Sequence, residues 1–206
     1  MKLRHILCSL CILMLTAPAA LADESDDFGV WADVQVNKDL GKYYAKLRIE
    51  HRSMDNAASH DALIIRPTFG VKALPWLDVD LSYDYIVEQA CHKHRGLLSV
   101  TGKLKQGDLS VSVRERYVYA WTIETKSSSH VLRSQLKAQY SIPDSIVRPY
   151  LAIEMFTWTK WNKTRHYVGT ELKFNPHHSL DLFYMYYTFD GKPSRHLAGL
   201  GYNFSF

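Results

Sequence analysis

From residue 28 to the C-terminus the chain keeps a period of two. Within 76–87, Leu77, Val79, Leu81, Tyr83, Tyr85 and Val87 share one side, while Asp78, Asp80, Ser82 and Asp84 take the other. Within 132–142, Leu132, Leu136, Ala138, Tyr140 and Ile142 oppose Arg133, Gln135, Lys137 and Gln139. Tyr43, Ala45, Leu47 and Ile49 face away from Lys46, Arg48 and Glu50 in the same manner. Successive side chains of a strand point to opposite sides, so this spacing makes strands with one apolar and one charged face. No window beyond the first 22 residues offers a sustained helical stripe. The chain is expected to be all-β, with segments near 28–37, 42–51, 61–72, 76–88, 94–104, 108–121, 130–142, 147–158, 162–174, 179–189 and 196–206.

Segments of this length suit the tilted wall of a closed antiparallel β-barrel, and two barrels compete. A soluble barrel turns its apolar face inward around a ligand; a transmembrane one turns it outward to lipid. Three features favour lipid. Charges of both signs recur on one face of nearly every segment, as a wet lumen requires. Aromatics gather near segment ends, at Tyr117, Tyr119 and Trp121, at Trp158 and Trp161, and at Tyr184 and Tyr186, where interfacial girdles sit. The chain also ends inside an alternating segment with Phe206 last, a pattern read as an assembly signal for outer-membrane barrels. Connections near 72–75, 106–107, 143–145 and 175–177 are tight, whereas 51–60, 88–93, 122–129, 159–163 and 190–195 read as longer polar loops. Short turns on the periplasmic side and long loops outside are the expectation for such a barrel. A barrel with both termini periplasmic needs an even strand number, so 10 to 12 strands are expected from eleven segments, with ten favoured. Glu115 would face hydrocarbon if alternation held through 109–121, and a β-bulge around Arg114-Glu115-Arg116 is the preferred escape.

Ahead of these segments lies a different kind of sequence. Lys2 and Arg4 precede an apolar run at 6–15, and Pro18 comes before Ala20-Leu21-Ala22. That order reads as a signal peptide, 1–22, cleaved to leave a barrel domain over 23–206. Its apolar run of about ten residues is too short to span a bilayer. Loss of Lys2 and Arg4 would take the formal charge from +4 to +2. Such a weak charge argues against nucleic acid as a partner. Cys8 and Cys11 would leave with the leader, so Cys91 would remain without an internal disulfide partner.

Several short stretches carry a family likeness. They are Asp27-Phe28-Gly29-Val30-Trp31, Arg114-Glu115-Arg116-Tyr117, Leu132-Arg133-Ser134-Gln135-Leu136, Arg148-Pro149-Tyr150 with Glu154, and 169–174. Together they resemble the DUF2490 family of bacterial outer-membrane β-barrel proteins. The resemblance implies a Gram-negative outer-membrane location and a barrel fold. It implies no activity.

With the charged face inward, Arg48, Glu50, Arg66, Asp80, Arg114, Arg116, Arg133, Glu154, Arg165 and Glu171 become lumen-lining candidates, beside Lys46, Asp78, Asp84, Lys137 and Asp181. Mixed charges allow two uses: an ion-paired filling that makes a structural barrel, or a narrow, porin-like solute pore in which the arginines select carboxylate or phosphate. No catalytic set stands out. The alternative from another class is a lipid-modifying enzyme with a Ser/His site on the outer rim, where Ser127-Ser128-Ser129-His130 falls; His177-His178-Ser179 falls on the opposite side. Cys91, His92 and His94 form a weak metal-like cluster, and no cofactor is expected. The expected partners are outer-membrane lipid and, during insertion, the barrel-assembly machinery.

Overall fold

The computed structural model describes residues 27–158 and 163–206. The leader expected at 1–22, and Trp161, lie outside the described residues. Eleven strands follow one another: β1 (Asp27–Leu40), β2 (Tyr43–Met54), β3 (Ser59–Leu74), β4 (Leu77–Glu88), β5 (His92–Gln106), β6 (Leu109–Thr122), β7 (Ser127–Tyr140), β8 (Val147–Thr157), β9 (Lys163–Lys173), β10 (His178–Phe189) and β11 (Lys192–Ser205). Each is at least 11 residues long, enough to cross a hydrocarbon layer at a tilt. No helix of the described residues is long and apolar enough to cross a membrane, which says nothing of crossing by strands.

The strands close into one barrel in which each pairs with its sequence neighbours. Every pairing is antiparallel but one. β1 and β11 run side by side in the same direction, from Asp27 opposite Arg195 to Asn37 opposite Ser205. Eleven lies within the expected 10 to 12 strands, though not at the favoured ten or at an even number, and the wall is antiparallel except at this one seam. The first segment is a full wall strand of 14 residues, and an odd number of alternating strands forces one parallel seam. Parallel pairing is slightly weaker per residue, and side chains reinforce this seam. Gln35 donates to Asn203 Oδ1 at 3.2 Å, and Asn37 Nδ2 donates to Ser205 Oγ at 3.2 Å.

Loop lengths also depart from expectation. At one mouth, called upper here, strands are joined by 55–58, 89–91, 123–126, 158–162 and 190–191; at the lower mouth by 41–42, 75–76, 107–108, 141–146 and 174–177. The longest link is on the side expected to be tight. Polar residues read as loops, such as Arg52 and Ser127 to Ser129, continue the ladders instead: Arg52 pairs Trp31 and Ser129 pairs Ala120.

The outer wall is apolar. Leu47, Phe69, Leu81, Leu98, Leu136, Leu151 and Leu200 are exposed on it. Girdles of rings flank this band. Near the upper mouth Tyr83, His94, Trp121, Tyr119, His130 and Tyr117 form a continuous run of ring contacts that reaches Trp158. Near the lower mouth His178, Tyr202, Phe204 and Phe206 do the same. Phe206 sits under the Lys38 ammonium, 4.3 Å from its ring centre.

Glu115 breaks the apolar band without a bulge. The ladders of β6 with β5 and β7 run unshifted through it, Val100 opposite Glu115 opposite Ser134. The expected phase reset is therefore absent, because Arg114 and Arg116 both keep inward positions that a reset would cost. Ser134 Oγ supplies the local remedy, donating to Glu115 Oε2 at 2.7 Å on the outer face.

Inside, aromatic rings lie over glycines on the next strand. Tyr44 covers Gly70 and Tyr150 covers Gly169, each directly across the ladder. A Cβ at Gly169 would stand 2.7 Å from the Tyr150 ring, and one at Gly70 would fall within the Tyr44 ring. A larger residue at either place must displace a packed aromatic. We expect Gly70→Val to lower stability by about 1–3 kcal/mol in urea unfolding of the detergent-solubilised protein. Gly96→Ala, with nothing within 4 Å of the new methyl, should leave the midpoint unchanged.

Candidate functional site: an arginine-lined cup

Strand alternation brings polar residues from every part of the sequence into the lumen. Three carboxylates at mid-height are shut off from solvent: Glu154 and Asp84 at 0% exposure and Glu50 at 1%. Each is held by more than one guanidinium. Glu154 accepts from Arg133 at 2.8 Å and from Arg114 and Arg165 at 3.2 Å. Asp84 is bridged by Arg66 and Arg95, with Arg95 Nη2 at 2.7 Å. Glu50 joins Arg48 and Arg52. Arg116, also buried, donates to Ser99 Oγ at 2.8 Å and has no ion pair among the described residues. Burying charges is tolerable only with such multiple partners, since the desolvation cost exceeds what one pair returns.

Above this filling the upper half opens into a cavity of about 1030 Å³. Arg52, Arg95, Arg133 and Arg165 line its depth, with Trp31, Phe156 and Tyr187 between them. Arg52, Arg133 and Arg165 are stacked on those rings. Arg52 lies 3.9 Å from the Trp31 ring centre, and Arg165 lies 4.4 Å from Tyr187 and 4.7 Å from Phe156. Stacking fixes the plane of each guanidinium and leaves its edge free to donate. Higher up, acids and bases alternate: Asp27 with Arg195 at 3.6 Å, Glu88 with Lys93 at 2.5 Å.

The structure divides the lumen candidates into two levels. Arg48, Glu50, Arg66, Arg114, Arg116, Arg133, Glu154 and Arg165 meet at mid-height, the last with Arg133 reaching the cup. Asp80 and Glu171 belong to the lower half. Tyr44 donates to Asp80 at 3.4 Å, and Gln139 donates to Glu171 at 3.0 Å. Sequence reasoning missed Arg52, which lies one residue past the segment drawn at 42–51, and Arg95, which lies inside the segment 94–104 but was not assigned to the lumen. Parity would have found both: Arg52 follows Arg48 and Glu50 at steps of two, and Arg95 is opposite Asp84. It also missed Trp31, Phe156 and Tyr187, inward aromatics that the apolar-outward rule assigns to lipid.

Two Ser/His stretches come apart on the alternating backbone. His130 lies outward against Tyr117 and Tyr119, while Ser127 and Ser129 line the cup. His178 contacts Tyr202 on the outside at 2.5 Å, whereas Ser179 is buried inside. Cys91, His92 and His94 do not converge either. His94 lies among Tyr83, Tyr85 and Trp121, His92 meets Glu124, and Cys91 points at Glu88 with Sγ 3.6 Å from Oε2. Partial desolvation, with the Glu88 carboxylate adding to it, raises the Cys91 thiol above its ordinary pKa, which disfavours the thiolate a metal would need. The His92 backbone N–H donates to Glu124 at 2.9 Å and holds that carboxyl below the usual range. Among the described residues no group of three or more His, Cys, Asp or Glu could hold a metal ion.

Glu154 is the most heavily shared of these acids. Glu154→Gln keeps the shape and removes the charge, leaving Arg114, Arg133 and Arg165 without their common anion. A loss of roughly 3–5 kcal/mol is expected in equilibrium unfolding. Arg114→Gln should cost less, since Glu154 keeps two guanidinium partners.

Comparisons with known proteins bear on the whole wall. Among solved structures, a loop L8 deletion mutant of OmpT, an outer membrane protein of Vibrio cholerae, aligns with 13% identity and a TM-score of 0.48. The alignment covers 77% of this chain and spans 57% of that one. No curated protein matches. The family described as "Protein of unknown function (DUF2490)" matches residues 28–198, which takes in all of β2 to β10 and most of β1. The chain belongs to that family.

Proposed function

We propose that this chain is an integral outer-membrane β-barrel whose lumen is closed at mid-height, a non-catalytic barrel presenting a cup at one mouth. The observation that carries the reading is an inverted distribution of polarity. Leucines and aromatics cover the outside, while Glu154, Asp84, Ser99 and Leu97 at the centre have no solvent contact. A wall of that kind is stable against acyl chains and would drive aggregation in water. Girdles of Tyr, Trp and His at both ends fit the two headgroup layers.

Closure separates this reading from a solute pore. Ion pairs shared among guanidinium groups crowd the cross-section where a channel would run, which supports closure. An enzyme on the upper rim gains no support from Ser127 and Ser129, because alternation sends His130 to the other face of the wall.

Each part of the proposal has its own measurement. The purified protein should require detergent to stay in solution, and should fractionate with the outer membrane and resist alkaline extraction. Refolded into planar bilayers it should give no unitary current steps; discrete steps that scale with salt would overturn closure. Ser129→Ala and His130→Ala should leave the lipid profile of the host unchanged.

A further inference from the structure

The mid-lumen carries more positive than negative charge. Arg48, Arg52, Arg66, Arg95, Arg114, Arg116, Arg133 and Arg165 face four carboxylates, Asp33, Glu50, Asp84 and Glu154. Of these acids, none lines the cup, whereas four of the arginines do. The carboxylates sit behind the guanidinium groups, so an entering molecule meets cationic edges first. Arg165 Nε is buried without a hydrogen-bond partner, in a side chain 8% exposed. Buried donors and surplus charge of one sign are costly until something of the opposite sign completes them.

We propose that the cup binds a small soluble polyanion, a molecule bearing two or more carboxylate or phosphate groups, through Arg52, Arg95, Arg133 and Arg165. Guanidinium forks match both oxyanions; stacking on Trp31, Phe156 and Tyr187 holds Arg52, Arg133 and Arg165 in place before the ligand arrives, and Asp84 holds Arg95. A cavity of about 1030 Å³ is far larger than a halide needs and lies at the upper end of the range for organic ligands. Four acids also line the cup, Asp27, Asp55, Asp61 and Glu88, but Arg52, Lys93, Arg95, Arg133, Lys163, Arg165 and Arg195 outnumber them, and Asp27 and Glu88 are paired with Arg195 and Lys93. Lipid headgroups are poor candidates because the cup opens within the ring of strands, while lipid meets its outside. This site is independent of whether the barrel conducts.

Calorimetric titration of the detergent-solubilised protein with citrate and with pyrophosphate tests the proposal, with sucrose as the uncharged control. Saturable binding at one site by either anion is expected, weakened by added sodium chloride and absent for sucrose. The preferred anion tells carboxylate from phosphate. Arg52→Gln and Arg95→Gln suit the test because Glu50 keeps Arg48 and Asp84 keeps Arg66. Each should weaken binding about tenfold or more while the β-sheet circular dichroism is retained. No saturable heat with either anion overturns the proposal, as does unchanged affinity in both variants. Should the variants fail to fold, the wild type decides: binding that salt does not weaken, or that sucrose shares, also overturns it.

Discussion

Glu154 and its three guanidinium partners hold the key to this barrel. A charge on the outside of a protein can turn to water, but a carboxylate in the closed middle of this bore meets only other lumen side chains. Polar groups brought inside must therefore satisfy one another across the bore. Strands β6, β7, β8 and β9 each send one residue to this cluster, Arg114, Arg133, Glu154 and Arg165. Asp84 does the same for β3 and β5, through Arg66 and Arg95. The result is a cross-brace linking strands that are not all hydrogen-bonded neighbours.

Large aromatics complete the filling where charges do not reach. Tyr44 and Tyr150 extend across their neighbouring strands because Gly70 and Gly169 leave room, and each hydroxyl then reaches an acid, Asp80 at 3.4 Å and Asp181 at 3.1 Å. One side chain thus covers a bare backbone and meets a buried carboxylate. Trp31, Phe156 and Tyr187 serve the upper half differently, as flat supports for arginines.

Much of this was legible in the residues. Period two in 76–87 fixed β4, and the assignment of charge to one face and grease to the other followed from the same alternation. The eleven segments became eleven strands with ends displaced by a few residues. What escaped detection depended on contacts across the wall. Arg52 lies at the end of β2, where the ladder continues only because Trp31 and Ala62 offer it partners. Glu115 looked intolerable on the outer face until Ser134, 19 residues away, supplied a donor. The count of eleven was visible as segments, yet the rule of even closure argued against it, and nothing local signals that β1 pairs β11. Which carboxylate each arginine would choose is equally hidden, because alternation gives the side of the wall and not the neighbour.

The seam between β1 and β11 has a topological consequence. A ring of alternating directions with an odd number of members must contain one aligned pair, and here that pair falls where the polypeptide has its two ends. Asp27 is therefore at the upper mouth while Phe206 is at the lower, a wall's height away although their strands touch. In an even-stranded barrel a short peptide can join the ends and the chain can be reopened elsewhere. Here a tether from Phe206 back to Asp27 would have to run the height of the wall.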